Sequence, residues 1–323
     1  MPDAVIEVHD VSRTFVVRRR RAGALPRVRT EVRAVSGLTF QIARGEMVGY
    51  IGPNGAGKST TVKMLTGILV PTAGRLLVAG VDPAADRVRL ARRIGVVFGQ
   101  RTTLWWDLPL RDSFALLQRI YRVPLDRFRE NLAGFTELLD LRDLLDVPVR
   151  QLSLGQRMRG DIAAALLHDP EILYLDEPTI GLDIISKARL RDFLRRINAE
   201  RRVTVLLTTH DLTDIEQLCR RVMVIDHGAL VYDGALDALH AIGGAKRTLV
   251  VDLAEPVPAV QVGGAEVTRV DGPRQWLTFP AEASAAPLVA EIAARYSLVD
   301  LSIHEPAIED VITQLYARGR PTG

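Results

Sequence analysis

Gly52-Pro53-Asn54-Gly55-Ala56-Gly57-Lys58-Ser59 is the stretch that decides the fold of this chain, because it fits the phosphate-loop pattern G-x-x-x-x-G-K-[ST]. An apolar run precedes it and a helical pattern follows it, which is the strand–loop–helix context that the motif requires. Glycines let successive backbone N–H groups turn inward around an anion, and the helix N-terminus adds partial positive charge. Lys58 is predicted to reach the terminal phosphates, and the Ser59 hydroxyl to ligate Mg²⁺. The predicted nucleotide-binding residues here are Gly52, Asn54, Gly55, Gly57, Lys58, Ser59 and Thr60.

The composition is typical of a globular chain with room for one large or two ordinary domains. Its 323 residues are 47% apolar and 25% charged. No apolar run reaches the roughly 18 residues of a membrane-spanning helix, and the first residues do not resemble a secretory signal. A single cysteine, Cys219, leaves no internal disulfide. Together these features predict a cytoplasmic chain that does not cross a membrane by itself.

Basic residues are concentrated in one short stretch. The formal net charge of the whole chain is only +3, yet residues 18–33 hold seven arginines and a single acid, Glu31. Such a stretch is a candidate contact for anionic lipid headgroups or for nucleic acid. The alternative is a solvated loop, which is the more common fate of a charge run.

Apolar periodicity predicts a parallel α/β core. Short apolar or alternating runs predict strands at residues 5–8, 38–42, 47–51, 76–81, 94–98, 172–175 and 204–207. The run at 172–175 is apolar throughout, as in a strand buried on both faces of a sheet. Helical periodicity dominates residues 110–168, and a further helix is predicted at about 186–199. Strand–helix–strand order of this kind implies a parallel sheet.

The character of the chain changes near Gly234. A short helix is predicted at residues 235–242, followed by a linker at Gly243-Gly244. Strand patterns then occur at 248–253, 266–270, 275–279 and 298–303, with helical apolar faces around Leu288 and Ile308. No cluster of catalytic residue types accompanies them. We therefore predict a small α+β domain over residues 245–323.

Two adjacent acids follow the buried strand at 172–175. An acid at the C-terminal end of such a strand faces the phosphate loop, so Asp176 is predicted to hold Mg²⁺ directly or through water. Glu177 then stands where a base polarises a water for attack on the γ-phosphate. The acids precede Pro178-Thr179 and Gly181-Leu182-Asp183. A phosphate loop alone would fit kinases, GTPases or helicases, and this combination of residues is more specific than the loop.

At this point the sequence resembles the ATP-binding cassette (ABC) family, over roughly residues 4–240. Leu152-Ser153-Leu154-Gly155-Gln156 is similar to the LSGGQ signature of that family, with Leu154 in place of the first glycine of the pair. The alternative role of Ser153 is a helix N-cap, and that of Phe15 is a core strand residue. The resemblance assigns nucleotide contacts to Phe15 (stacking on adenine), Ser153, Gly155, Gln156, Asp183 (the D-loop acid), Gln100 (the Q-loop glutamine) and His210 (the switch histidine).

The resemblance also implies the fold, the cofactors and the assembly. We predict an α/β fold: a phosphate-loop (RecA-like) parallel sheet core with antiparallel N-terminal strands and a helical subdomain at about 101–168, all within residues 1–240. ATP and Mg²⁺ are the expected cofactors, with Glu177, His210 and Gln100 catalytic and Ser59, Gln100 and Asp176 at the metal. Two copies are expected to clamp two ATP molecules head to tail, and hydrolysis to open the dimer.

Most members of the family drive membrane transporters, so the expected partner is an integral membrane permease at the cytoplasmic face of the membrane. Trp105-Trp106-Asp107-Leu108-Pro109 is a candidate docking surface, because adjacent tryptophans cannot both face one core; local packing is the alternative. Residues 301–311 resemble the C-terminal extension of exporters of drugs, lipids or polysaccharides, which favours export. The alternatives are a soluble ABC ATPase of translation or DNA repair and an importer ATPase with a regulatory C-terminal domain. No nucleic-acid partner is expected.

Overall fold

The computed structural model describes residues 3–19, 28–99, 101–209, 211–241, 246–280, 283–304 and 311. The chain divides into two compact units, Met1–Asp233 and Gly234–Gly323. The predicted linker Gly243-Gly244 lies outside the described residues, and so does the predicted C-terminal helical face apart from Val311, which is buried.

The first unit contains, in outline, the strands and helices that the apolar periodicity predicts, and also two strands after residue 220 that it does not predict. In chain order its elements are β1 (Ala4–Arg19), β2 (Val28–Ala43), β3 (Met47–Ile51), α1 (Lys58–Leu65), β4 (Ala73–Val78), α2 (Arg87–Ala91), β5 (Ile94–Phe98), α3 (Leu110–Tyr121), α4 (Leu125–Leu138), α5 (Leu154–Leu166), β6 (Ile172–Asp176), α6 (Ile184–Arg201), β7 (Thr204–Thr208), α7 (Leu212–Leu218), β8 (Arg221–Asp226) and β9 (Ala229–Ala235). Short 3₁₀ turns at Arg142–Leu144 and Val149–Gln151 lie between α4 and α5.

A six-stranded sheet in the order β5-β6-β7-β3-β8-β9 forms the centre of this unit. The pairs β5–β6, β6–β7, β3–β7 and β3–β8 are parallel. Every residue of β3 and β7 is buried, which explains why these strands are apolar runs without alternation. Register aligns Asp176 with Phe98 on one side and with Thr208 on the other. The polar residues that end these strands therefore meet at one edge of the sheet.

A second, antiparallel sheet has the order β2-β1-β4 and contains the predicted N-terminal strands. Strand β4 spans Ala73–Val78, so the predicted strand at 76–81 is displaced by three residues and overlaps it only at 76–78. Ala79 and Gly80 have positive φ values of 50° and 70°, and Val78 and Val81 exchange hydrogen bonds of 2.9 Å across the resulting turn. The predicted fold class is otherwise confirmed: the unit combines a parallel sheet, antiparallel strands and helices.

The second unit contains α8 (Leu236–Ala241), β10 (Lys246–Leu253), β11 (Glu266–Asp271), β12 (Arg274–Pro280), α9 (Ala285–Arg295) and β13 (Leu298–His304). Its strands form an antiparallel sheet in the order β11-β12-β10-β13. The core of this unit joins Leu249 and Val251 of β10 and Phe279 of β12 to Leu288 and Ile292 of α9. The apolar face predicted around Leu288 is thus buried against the sheet.

Candidate nucleotide-binding site

The predicted phosphate loop connects β3 to α1, and its conformation depends on glycine. Gly57 has a φ of 112°, and a Cβ atom there would lie 2.6 Å from the backbone oxygen of Ala34 in β2. A Cβ atom on Gly52 would lie 2.3 Å from the backbone oxygen of Ile225. Side chains at either position would collide with backbone, which cannot move aside as a flexible side chain can. The loop is therefore held against β2 and β8 at both ends.

A cavity of about 270 Å³ opens over this loop. It brings together most residues predicted to hold phosphate and metal, from three separate elements. Its lining consists of Ala34, Asn54, Gly55, Gly57, Lys58, Ser59, Thr60, Asp176 and Glu177. Gly52 is not among these lining residues, but its backbone oxygen accepts a hydrogen bond from Lys58. The sequence stretch around 52–60 and the acid pair, more than a hundred residues apart in the chain, thus share one cavity.

Lys58 donates hydrogen bonds to the backbone of its own loop. Its Nζ donates to the backbone oxygens of Gly52 at 2.5 Å and Pro53 at 3.2 Å. Burial lowers the pKa of Lys58, while the carboxylates of Glu177 and Asp176 act in the opposite direction. A buried ammonium group that donates to carbonyl oxygens is a good binder of added negative charge, since part of its desolvation has already occurred.

Asp176 and Ser59 place a carboxylate and a hydroxyl side by side. The Ser59 hydroxyl lies 3.4 Å from Oδ2 of Asp176, and the Oδ1 atom of Asp176 accepts a hydrogen bond from the Thr208 hydroxyl. Thr208 thereby orients the carboxylate from the neighbouring strand. One hydroxyl and one carboxylate beside a phosphate-binding loop fit the way proteins hold Mg²⁺, which completes its octahedral shell with phosphate oxygens and water. The donor set therefore fits the metal that the sequence predicts.

Glu177 is the first residue beyond β6, and its backbone is unusual. Its φ is 56°, a left-handed conformation that side chains other than glycine seldom adopt. A 2.9 Å hydrogen bond from its N–H to the Thr208 oxygen stabilises this turn. Such conformations persist where surrounding structure enforces them, often at functional sites. Here the turn lets Glu177 line the same cavity as Lys58 and Ser59.

The signature-like residues lie at the N-terminus of α5, outside the residues that line this cavity. Ser153 is the N-cap: its hydroxyl accepts from Gln156 N–H at 3.2 Å, and its own N–H donates to the Gln156 side chain at 2.8 Å. Both polar side chains are thus used in a capping box. The side chain of Leu154 lies against Gly181, where an added Cβ atom would come within 2.5 Å of it.

Asp183 caps the next helix, α6, and so stands beside the signature-like residues. Its carboxylate accepts hydrogen bonds from Ser186 N–H at 2.9 Å and from the Ser186 hydroxyl at 2.7 Å. These bonds hold the pKa of Asp183 below its usual value. A Cβ atom on Gly155 would meet Ser186 and Leu182 at 3.4 Å and 3.5 Å. The two N-termini, of α5 and α6, therefore form one exposed surface.

Phe15 lies on β1, opposite Val32 of β2. The guanidinium of Arg13 sits 4.7 Å from the centre of its ring. Strand β2 continues from Val32 to Ala34, which lines the cavity over the phosphate loop. The Phe15 ring is half-buried, and this placement is compatible with stacking on adenine. The adenine contact itself stays a prediction.

Gln100 and His210 lie outside the described residues, and their predicted roles stay predictions. Their neighbours are described. Phe98, two residues before Gln100, pairs with Asp176. Asp211, next to His210, forms an ion pair of 2.5 Å with Lys187 of α6, which holds the pKa of Asp211 below its usual value.

Sequence reasoning missed the residues that hold these segments together. Asp214, in α7, is fully buried and binds Arg191 and Thr179. Asp161, in α5, accepts hydrogen bonds from Thr102 and Thr103, just beyond Gln100. The sequence does offer a signal for such residues: a charged residue at a helix position that faces the core indicates a buried ion pair or hydrogen bond, because a buried charge needs a partner. The sequence does not identify the partner.

Residues 35–180 match the family model described as "ABC transporter". The daunorubicin resistance ATP-binding protein DrrA3 of Streptomyces coeruleorubidus is 36% identical, over 88% of this chain and 91% of that protein. The Nod factor export ATP-binding protein I of Paraburkholderia xenovorans is 34% identical, over 98% and 99%.

Solved structures agree on the fold. The protein cbiO1 from Clostridium perfringens, part of the ABC transporter complex cbiONQ, has a TM-score of 0.62 at 27% identity, covering 74% of this chain and 92% of that one. A dimeric ATP-binding cassette in a post-hydrolysis state, bound to ADP and Pi, has a TM-score of 0.61 at 24% identity, covering 72% and 98%. The likeness to the second structure is one of fold.

Proposed function

This chain belongs to the ABC transporter family as an ATP-hydrolysing subunit, and from that premise we propose that it drives a separate membrane permease of the export type. The observation that carries the proposal is the cavity that joins Lys58 and Ser59 to Asp176 and Glu177. The named relatives serve daunorubicin resistance and Nod factor export, and their similarity extends over most of this chain.

In the proposed reaction, the phosphate loop and Lys58 hold the triphosphate, with the Lys58 ammonium moving from carbonyl oxygens to phosphate oxygens. Ser59 and Asp176 would hold Mg²⁺, which neutralises charge on the β- and γ-phosphates. Glu177 polarises a water for in-line attack on the γ-phosphorus, and the bond to the bridging oxygen breaks to give ADP and phosphate. Gln100 and His210 are assigned to sensing the attacking water and the γ-phosphate.

We assign the surface formed by Ser153, Gly155, Gln156 and Asp183 to the nucleotide of a second copy. These residues do not line the cavity of their own chain, and α5 presents its N-terminus, which favours an anion. Two copies placed head to tail would each complete the other's site. Loss of the γ-phosphate then removes the bridging charge and lets the dimer open.

The permease would dock near Trp105 and Trp106, both of which are exposed. The Arg157 guanidinium of α5 lies 5.4 Å from the Trp106 ring, so this surface is joined to the signature helix. An apolar groove of about 190 Å³ lies between β5, α3 and α5 and includes Phe98 and Tyr121. Among the residues that the structure describes, no helix combines the length and apolarity needed to cross a bilayer. We place the working complex at the cytoplasmic face of the membrane.

Glu177→Gln tests the catalytic assignment. Since the variant keeps the shape and loses the base, we expect ATP turnover to fall by about 10²–10⁴-fold while ATP binding persists. Glu200→Gln, at the exposed end of α6, is the matched control and should behave as wild type. Lys58→Ala should instead lose affinity for ATP. Unchanged turnover in Glu177→Gln would remove this residue from the role of base.

Co-purification tests the transport assignment. An integral membrane protein that copurifies with the chain, and stimulates its turnover, is the expected result. A periplasmic binding protein in the system would favour import, and salt-sensitive binding of RNA or DNA would favour an ATPase of translation or repair. Either of those outcomes contradicts the export proposal.

A further inference from the structure

Strands β1 and β2 extend beyond the sheet to which they belong. Strand β4 pairs with β1 only between Ile6 and Ser12, whereas the β1–β2 pairing continues to Arg19 and Val28. We call the outer part of this pairing, Val16 to Arg19 with Val28 to Arg33, the arginine ribbon. It is two strands wide, which is too narrow to be stable through its own packing.

The arginine ribbon has exposed valines on both of its faces. Val16, Val17 and Val32 are 46%, 36% and 47% exposed. Val16 and Val17 are consecutive in a strand, so they point to opposite faces. The ribbon therefore leaves apolar side chains in contact with solvent on each side. These exposed valines are therefore not part of the apolar core of the unit.

The charge of the ribbon is also unbalanced. Residues 16–19 and 28–33 hold four arginines and one glutamate, a formal charge of +3, which equals that of the whole chain, so the remainder has no net charge. Register places Arg18 directly opposite Arg29. Like charges opposite each other weaken a strand pair. An anionic ligand would relieve this repulsion.

Guanidinium groups bind phosphate oxygens in a bidentate manner, and exposed valines among them add shallow apolar contact. Between Phe15 and Phe40 the sequence has no aromatic residue on which a nucleic-acid base would stack. We infer that the arginine ribbon binds the headgroups of anionic phospholipids at the membrane surface. This contact goes beyond the proposed function, because it requires neither ATP nor the permease.

The inference predicts selective binding to anionic vesicles. The purified full chain should sediment with vesicles that contain phosphatidylglycerol and not with vesicles of phosphatidylcholine alone. Since each arginine near an anionic surface contributes roughly fivefold, Arg18→Gln/Arg19→Gln/Arg29→Gln should lower partitioning by up to about 10²-fold. Added salt should weaken the binding of the wild type. Val16→Thr/Val32→Thr should weaken it with the charge intact.

The matched control removes three exposed arginines elsewhere, Arg129→Gln/Arg196→Gln/Arg295→Gln. Its net charge equals that of the ribbon variant, and it should bind vesicles nearly as the wild type does. Both variants should retain ATP turnover, which separates this test from that of the ATPase assignment. Equal loss in both triple variants would overturn the inference. So would equal binding to both vesicle types, or RNA binding that the ribbon variant alone loses.

Discussion

The buried ion pair between Arg191 of α6 and Asp214 of α7 provides the sharpest test of how the site is held together. The two groups are 3.0 Å apart, and their side chains are 12% and 0% exposed. The other carboxylate oxygen of Asp214 accepts a 2.6 Å hydrogen bond from Thr179, two residues beyond Glu177. Asp214 thus connects the segment after the acid pair to the helix that follows His210.

Arg191→Met should be strongly destabilising, because it leaves Asp214 as a buried carboxylate with a single hydroxyl partner. Loss of one member of a buried ion pair costs about 3–5 kcal/mol. Thr179→Val removes only a hydrogen bond to a charged group, which costs about 1.5–3 kcal/mol. Replacing both ions, as in Arg191→Met/Asp214→Leu, should cost less than Arg191→Met alone, since no charge is left unpaired.

The same helix supplies the control. Arg196 pairs with Glu200 at 2.7 Å, but the two side chains are 56% and 54% exposed, so Arg196→Met should cost no more than about 1 kcal/mol. The free energy of unfolding of each variant is measured by urea titration at one pH. If Arg191→Met costs no more than Arg196→Met, the burial reasoning is refuted.

The milder variant also reports on function. Thr179→Val is expected to fold, yet it frees the segment that carries Glu177 from its anchor in α7. When a reacting group is misplaced by about 1 Å, turnover falls by up to about 10²-fold. We expect a lower kcat for ATP with an unchanged Kd for ATP. Wild-type kcat in a folded Thr179→Val variant would show that this anchor does not position Glu177.

Three further predictions follow from single positions. Gly57→Ala should abolish ATP binding and lower Tm, because the added Cβ atom would lie 2.6 Å from the Ala34 oxygen. A Cβ atom at Gly55 would have no neighbour within 4 Å, so Gly55→Ala should lower Tm and ATP affinity less. Burial raises the pKa of Asp161 above its unfolded value. The contribution of Asp161 to stability is therefore largest below a pH of about 4 and falls as the pH rises through the folded pKa. The Tm of Asp161→Asn should accordingly rise relative to that of the wild type between acidic and neutral pH. Burial raises the pKa of Cys219 to about 12, so a maleimide should label native protein slowly at neutral pH and at full rate in urea.

Within the described residues, much of the fold followed from the sequence, because local patterns determine local structure. The apolar runs of β3, β6 and β7 predicted a buried parallel sheet, and the phosphate-loop motif predicted the conformation between β3 and α1. The error in β4 has a local cause as well. Residues 79 and 80 adopt left-handed conformations, which Gly80 favours and Ala79 does not.

The sequence by itself determined the family and predicted which residues carry phosphate, metal and base chemistry, because the loop, the acid pair and the signature are each recognised by short spacings. Tertiary structure alone decided which of them share a cavity. Parallel register brings Asp176 beside Thr208 and across from Ser59, and it leaves Ser153 and Asp183 on a different surface. It also decided that Asp214 and Asp161 are anchors, since a buried carboxylate is stable only where distant parts of the chain supply its partners.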